Sequence, residues 1–242
     1  KNVAYENALD FIALGFNPEK TKIIINTKNI QTLYPIAAQV AKKKINFSNT
    51  KATFGFTNET NIGMIFYTSL QSAPCFIEDK PVLIPLGVDQ DPHFRLTRDI
   101  AQKIGKQKPA LIHNIMVPAL TGPGGKMSAS EEKGTIYTTD TPDIVKKKIN
   151  KYAFSGGQPD IEQHRKLGGN PDIDVSYQYL RIFFEPDDTK LKKIYEDYKS
   201  GKLLSGELKA ILIEKINKFL KTHQEKREKA KQQIEQFILK NK

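Results

Sequence analysis

The chain has 242 residues, enough for two domains or one large one, with 38% hydrophobic and 9% aromatic residues, as in soluble globular proteins. No run approaches the ~18 apolar residues of a membrane span, no signal-peptide pattern opens the chain, and the single Cys75 excludes an internal disulfide or a cysteine-ligated zinc, which fits a reducing cytosol. The formal charge of +11 is uneven: residues 1–140 carry 16 Lys and Arg against 12 Asp and Glu, residues 141–242 carry 22 against 15, and the more basic second half suits a polyanionic partner.

The chain opens Lys1-Asn2-Val3 without an initiator Met and reads at once as helix, so a piece of a longer protein is expected. Over residues 3–16 the spacing of Ala4, Tyr5, Ala8, Leu9, Ile12 and Ala13 predicts a helix, with Gly15 at its close. The β-branched run 21–26 reads as a buried strand, and residues 31–44 as a helix with Pro35 near its start and the triplet 42–44 at a solvated end. Thr57-Asn58-Glu59-Thr60 signals a helix start, followed by Ile62, Ile65, Phe66, Ser69 and Leu70 on one face until Pro74. Gln71, at the end of that helix, is either a surface amide or one pointing into a pocket.

Residues 81–87 read as a second strand. It runs into Val88-Asp89-Gln90-Asp91-Pro92, where Asp91 is expected as N-cap and Pro92 as first helical residue of a helix carrying Phe94, Thr97, Ala101 and Ile104 up to Gly105. A strand, a tight turn and a helix N-terminus in succession mark the carboxyl end of a parallel strand, where α/β sheets bind ligands. Asp89 is therefore read as functional, a second acid beside Asp91 being redundant for capping. Residues 110–117 form a third strand, with His113 read as a packed residue.

Gly122-Pro123-Gly124-Gly125-Lys126-Met127-Ser128-Ala129-Ser130 follows. Three glycines predict a mobile loop whose backbone can approach an anion, while Lys126 and two serines supply charge and donors for a guest such as triphosphate. The G-x-x-x-x-G-K-[ST] phosphate loop is excluded, because Leu120 and Met127 stand at two of its required positions. Residues 136–138 read as a short extended run.

From residue 141 the pattern is helical. Thr141-Pro142-Asp143 caps a helix with Ile144, Val145 and Ile149, ringed by Lys146, Lys147, Lys148 and Lys151; that cluster either meets phosphates or is a solvated face. Glycine loops at 155–157 and 168–171 flank residues 160–165, and 174–184 reads as a tyrosine-rich helix. Ser205 is expected to cap a long helix to about residue 239, with one apolar stripe through Leu208, Leu212, Ile216, Phe219 and Leu220 and a second through Ile234, Phe237 and Ile238. The polar stretch 223–231 between them is either exposed or a bend. No metal-ligand spacing is present.

Lys126-Met127-Ser128-Ala129-Ser130 resembles the second signature of the class I aminoacyl-tRNA synthetases, in the form of the eukaryotic and archaeal tryptophanyl-tRNA synthetases. The resemblance runs through Ser69-Leu70-Gln71-Ser72-Ala73-Pro74, Gly87-Val88-Asp89-Gln90-Asp91-Pro92, Pro118-Ala119-Leu120, Tyr152-Ala153-Phe154-Ser155-Gly156-Gly157, Gly168-Gly169-Asn170-Pro171-Asp172 and Ser205-Gly206-Glu207-Leu208. It covers essentially the whole chain. The sister tyrosyl enzymes usually follow the Asp-Gln pair with Arg-Lys, where Asp91-Pro92 stands here.

The resemblance implies an α/β fold: the second half of a class I Rossmann-type catalytic domain in residues 1–140, then an α-helical anticodon-binding domain in 141–242. It implies that Gln71 and Gln90 hold the α-amino group of tryptophan, and that Gly87 and Asp89 contact the ribose of ATP. Met116 and Val117 would read adenine, while Lys126, Met127, Ser128 and Ser130 lie on the triphosphate, with Lys126, Ser128 and Ser130 catalytic. It further implies ATP with Mg²⁺ and no protein metal ligand, tRNA(Trp) as partner, a homodimer in the complete enzyme, no membrane, and a cytoplasmic setting. Lys146, Lys147, Lys148, Gln158, His164 and Arg165 are positions that could meet the anticodon stem of the tRNA. Two departures stand out: Ala129 replaces a second lysine, and the His-x-Gly-His-type first signature is absent, so the chain alone is expected to bind ATP poorly and catalyse little. A tyrosyl relative and a non-catalytic RNA-binding or signalling fragment are the rival readings.

Overall fold

The computed structural model describes residues 2–43, 45–128 and 130–240; Lys44, of the expected lysine triplet, and Ala129, the fourth residue of the Lys126 motif, lie outside them. In chain order the elements are α1 (Asn2–Ala13), α2 (Ile30–Lys42), α3 (Phe47–Phe54), α4 (Ile62–Ser72), β1 (Leu83–Gly87), α5 (Asp91–Ala101) and β2 (Ala110–Asn114). They continue with β3 (Pro118–Ala119), β4 (Gly122–Lys126), α6 (Pro142–Tyr152), α7 (Ile161–Leu167), α8 (Val175–Tyr179), α9 (Asp188–Lys199), α10 (Ser205–Ala230) and α11 (Ile234–Phe237).

Two compact units form, each from discontinuous sequence: Lys1–Asn17 with Val117–Ile234, and Pro18–Met116 with Glu235–Lys242. A division at residue 140 falls within the first unit. The physical reason is that α1 packs on α10, while 237–239 run beside Ile23.

The unit holding residues 18–116 is built on β1 and β2, which pair in parallel from Leu83 opposite Ala110 to Gly87 opposite Asn114. Parallel strands need a crossover, and α5 supplies it. Phe94, Ile100 and Ala101 of α5 are buried with Val40, Phe76 and Leu86. Gly105 takes φ +71° to end that helix, as its position suggested. Asn61 rather than the residues before it caps α4, accepting from the Met64 amide at 3.0 Å, and Ile62 is left 82% exposed instead of joining the buried face. The run 21–26 does not form a strand. Ile23 makes one parallel bridge to Ile238, and the Asn29 side chain takes the Ile25 amide at 2.9 Å, so side-chain bonding replaces a ladder.

In the other unit, Leu120, Val145, Ile149, Tyr179, Leu180, Tyr198, Leu208 and Leu212 form the core. Thr141 caps α6 through the Ile144 amide. Ser205 does not cap α10: the Glu207 carboxylate accepts from the Leu204 amide at 2.7 Å, and Ser205 turns inward to Ser155 and Tyr198. The long helix ends at Ala230, so the second apolar stripe does not belong to it. The polar stretch is exposed at Glu225, Lys226, Glu228, Lys229 and Lys231 and gives way to a turn at 231–233, but its other face is not solvated: His223 and Arg227 are buried and bonded to Asp10 of α1.

Candidate functional site

β1 ends at Gly87, and one 3₁₀ turn, Val88–Gln90, carries the chain into α5. Gly87 has ordinary extended angles, φ −67° and ψ 145°, so strain is not why glycine is needed. Space is: a Cβ there would lie 2.9 Å from Asp89 Oδ1 and 3.1 Å from Met116 Cε. Three of the residues singled out from sequence thus converge where a side chain is missing. Met116 follows β2, which stops at Asn114 rather than continuing to Val117.

Asp91 is the first residue of α5 and not its cap. Its carboxylate lies 2.6 Å from His113 Nε2 and pairs also with Arg95. The His113 bond, ahead of the Arg95 pair, holds the Asp91 carboxyl below the usual carboxylate range against the opposing effect of desolvation. His113 is therefore not a packed core residue; the β1–β2 register places it opposite Leu86, one position before the strand end. Sequence spacing did not reveal this pair, because the two residues meet through a parallel register 22 positions apart.

Gln71 lies in the last turn of α4, where Tyr67 Oη donates to its Oε1 at 3.1 Å. The Tyr67 ring stands edge-on to His93 at 5.5 Å, His93 Nδ1 is 3.0 Å from Thr68 Oγ1, and Phe54 stacks on the imidazole at 4.4 Å. Burial pushes the His93 pKa below its ordinary value. Tyr67 and His93 were not singled out from sequence; His93 following Asp91-Pro92 on the first turn of α5 was the available signal. Gln90 ends the 3₁₀ turn, half-buried.

The Lys126 segment is more ordered than three glycines suggest. Gly122–Lys126 is strand β4, antiparallel to β3, with Lys126 opposite Pro118. Met127 N donates to Val117 O at 2.8 Å, and Phe154 N to Leu120 O at 2.7 Å. Gly122 does need its glycine, having φ +131° with the Phe154 ring 3.4 Å from its would-be Cβ. Beyond the strand, Ser128 Oγ lies 2.9 Å from Ser130 Oγ, and Ser128 O accepts from Thr135 Oγ1 at 2.6 Å. Lys126 is exposed, and Met127 is half-buried against the core. Tyr179 Oη donates to Pro118 O at 2.7 Å, and burial raises that phenol well above its ordinary pKa.

The candidate residues therefore fall in both compact units: Gln71, Gly87, Asp89, Gln90 and Met116 in one, Val117, Lys126, Met127, Ser128 and Ser130 in the other. Among the tRNA candidates, Lys146 and Lys147 are exposed. Lys148 is not: its ammonium is 2.8 Å from Asp140 Oδ2 and 4.4 Å from the Tyr137 ring centre. Gln158 Nε2 donates to Gly168 O at 3.0 Å, and Arg165 to Gly201 O at 3.0 Å, so both side chains hold glycine loops. Gln158, Asp160, His164 and Gly206 also line a cleft of about 370 Å³. Among the described residues no group of three or more His, Cys, Asp or Glu could hold a metal ion, and no helix is long and apolar enough to cross a membrane.

The family described as tRNA synthetases class I (W and Y) matches residues 1–221. A tryptophan–tRNA ligase of Sulfurisphaera tokodaii is 58% identical over 97% of this chain, which spans 61% of that relative's length. Among solved structures, the tryptophanyl-tRNA synthetase from Giardia lamblia superposes with a TM-score of 0.88 at 38% identity, over 98% of this chain and 67% of that one. The tryptophanyl-tRNA synthetase from the hyperthermophilic archaeon Aeropyrum pernix gives 0.87 at 32% identity, over 96% of this chain and 64% of that one. The fold is thus that of the class I tRNA synthetases, with mixed α/β content.

Proposed function

The chain belongs to the class I tRNA synthetases of the tryptophan and tyrosine group, and from that membership we propose that it is part of a tryptophan–tRNA ligase. The observation that carries the reading is the convergence of Gly87, Asp89 and Met116 at the carboxyl end of a parallel strand pair. A carboxylate held beside a bare glycine suits the two hydroxyls of a ribose approaching the backbone closely.

In this reading Asp89 and Gly87 take the ribose of ATP, and Met116 and Val117 take adenine. Gln71 and Gln90 offer amide oxygens to the ammonium of tryptophan. Lys126, with Met127, Ser128 and Ser130, lies along the β- and γ-phosphates, where its ammonium stabilises the charge that builds as pyrophosphate departs. The tryptophan carboxylate attacks the α-phosphorus in line, giving tryptophanyl-adenylate. The 2′-hydroxyl of the terminal adenosine of tRNA(Trp) then attacks the tryptophanyl carbonyl carbon, forming the ester as the anhydride bond breaks and AMP leaves. The chain's own residues contribute position and charge and form no covalent bond to the substrate.

Mg²⁺ would accompany ATP and would supply charge neutralisation to its phosphates. Residues 1–140 would form the C-terminal part of the Rossmann catalytic domain and 141–242 the anticodon-binding domain, where exposed Lys146 and Lys147 are the candidates for tRNA phosphates. A cytoplasmic homodimer completes the proposal. Because the chain spans about three-fifths of the relatives' length, a tyrosyl relative and a non-catalytic RNA-binding fragment are the readings to separate. ATP–pyrophosphate exchange with each amino acid in turn does so, run on the full-length gene product. Exchange driven by tryptophan supports the proposal; exchange driven by tyrosine, or by neither amino acid, overturns it.

A further inference from the structure

A ribbon of two residues against five, with a register irregularity between Pro118 and Ala119, cannot hold its own position. Pro118 lacks an N–H to donate, and beside Gly124 no atom lies within 4 Å of a would-be Cβ. Yet this ribbon carries Lys126. What fixes it must come from outside the two strands.

Tyr179 reaches it. The residue ends α8, is 2% exposed, and donates its phenolic proton to Pro118 O at 2.7 Å, on the residue paired with Lys126. A π turn, Leu180–Phe184, follows at once, closed by Glu185 N donating to Leu180 O at 2.8 Å. Such insertions mark places where a helix re-aims side chains. Here Phe183 comes edge-on to the Tyr179 ring at 6.5 Å. Tyr179, Phe183, Phe219 and Met127 line a common apolar cavity of about 120 Å³. Tyr179 thus reaches the ribbon at Pro118, and the Met127 side chain, next to Lys126, packs against the same core cluster.

We propose that Tyr179 is a positioning residue for Lys126, with the Pro118 carbonyl as the link; the consequence for phosphate binding rests on the function proposed above. Displacing a transition-state donor by even ~1 Å costs about 10²-fold in rate, so a two-residue strand with a proline needs such a buried tie.

The test compares Tyr179→Phe with Tyr198→Phe in the 242-residue chain. Tyr198 is an equally buried phenol of the same unit whose bonds go to Asp174, Ser155 and Ser205 instead of the ribbon. Amide hydrogen exchange at Met127, which donates to Val117 O, reads the ribbon, with amides at the centre of α10 as internal reference. Tyr179→Phe is expected to speed Met127 exchange on the order of tenfold, the worth of one buried hydrogen bond, with the reference unchanged and Tyr198→Phe leaving Met127 alone. Unchanged Met127 exchange in Tyr179→Phe, or equal acceleration by Tyr198→Phe, overturns the assignment. A parallel titration with tripolyphosphate keeps the two readings apart. If Lys126→Ala leaves that titration unaltered, the phosphate role of Lys126 falls, and the exchange comparison still decides the role of Tyr179.

Discussion

Asp10 and His223 stand 213 positions apart in sequence, and their side chains meet at 2.8 Å. The same Asp10 oxygen accepts from Arg227 Nε at 3.0 Å, and Arg227 also reaches Glu6. One carboxylate on α1 thus satisfies two buried donors on α10.

Removing it takes the acceptor from His223 Nε2 and from Arg227 Nε, while Arg227 keeps Glu6. Asp10→Ala is predicted to destabilise the unit holding Lys1–Asn17 by about 1–3 kcal/mol. A urea melt followed by α-helical circular dichroism checks this. A midpoint within error of the unsubstituted chain would show that α1 is held by its apolar face alone.

Gly87→Ala separates space from strain. The backbone angles suit alanine, so the folding midpoint should hold or rise slightly. The new methyl falls 2.9 Å from Asp89 Oδ1, and the carboxylate must shift. Adenosine affinity of the full-length enzyme is predicted to fall on the order of tenfold. Calorimetric titration reads it; unchanged affinity would remove Asp89 from the ribose.

Asp91 sets a pH dependence. Its folded pKa is depressed, mainly by the His113 bond. The stability it lends is therefore present above its unfolded value of about 3.9 and is lost as pH falls through the lower folded value. His113→Ala should move the Asp91 carboxyl titration, followed by ¹³C NMR, upward toward the ordinary value. An unmoved midpoint would place the depression on Arg95 instead.

Gly168 occupies φ +73°, and a Cβ there would meet Lys199 O at 1.8 Å. Gly168→Ala is predicted to cost about 3 kcal/mol or more, since both strain and backbone overlap oppose it. A thermal melt checks this, with Gly206→Ala, whose added methyl meets nothing within 4 Å, as the mild control.

The sequence made the local signals plain. Gly15 and Gly105 close helices where expected, Thr141 caps α6, and the alternation around residues 81–117 gives β1, α5 and β2. What it hid depends on distant partners. His223 and Arg227, within the polar stretch 223–231, gave no sign of burial because their partners Glu6 and Asp10 lie at the other end of the chain. α3 escaped notice because it has little apolar periodicity, resting on the Asn46 cap and buried Thr50. Asp91 looked like a cap because its imidazole partner comes from the neighbouring strand. Around the candidate site, Asp89 and Lys126 were singled out by strand-end and loop chemistry, whereas Gln71, at a helix end, stayed open between surface and pocket until the family resemblance gave it a role. Tyr67, His93 and Tyr179 were not, since each acts through packing that no spacing encodes.

In the proposed reaction Lys126 stabilises the departing pyrophosphate. The most direct measurement of that role is tryptophan-dependent ATP–pyrophosphate exchange by the full-length gene product, with and without Lys126→Ala. We predict a loss of about 10²-fold or more, the usual effect of removing a transition-state donor. Exchange that persists at the unsubstituted rate would take Lys126 off the departing phosphates.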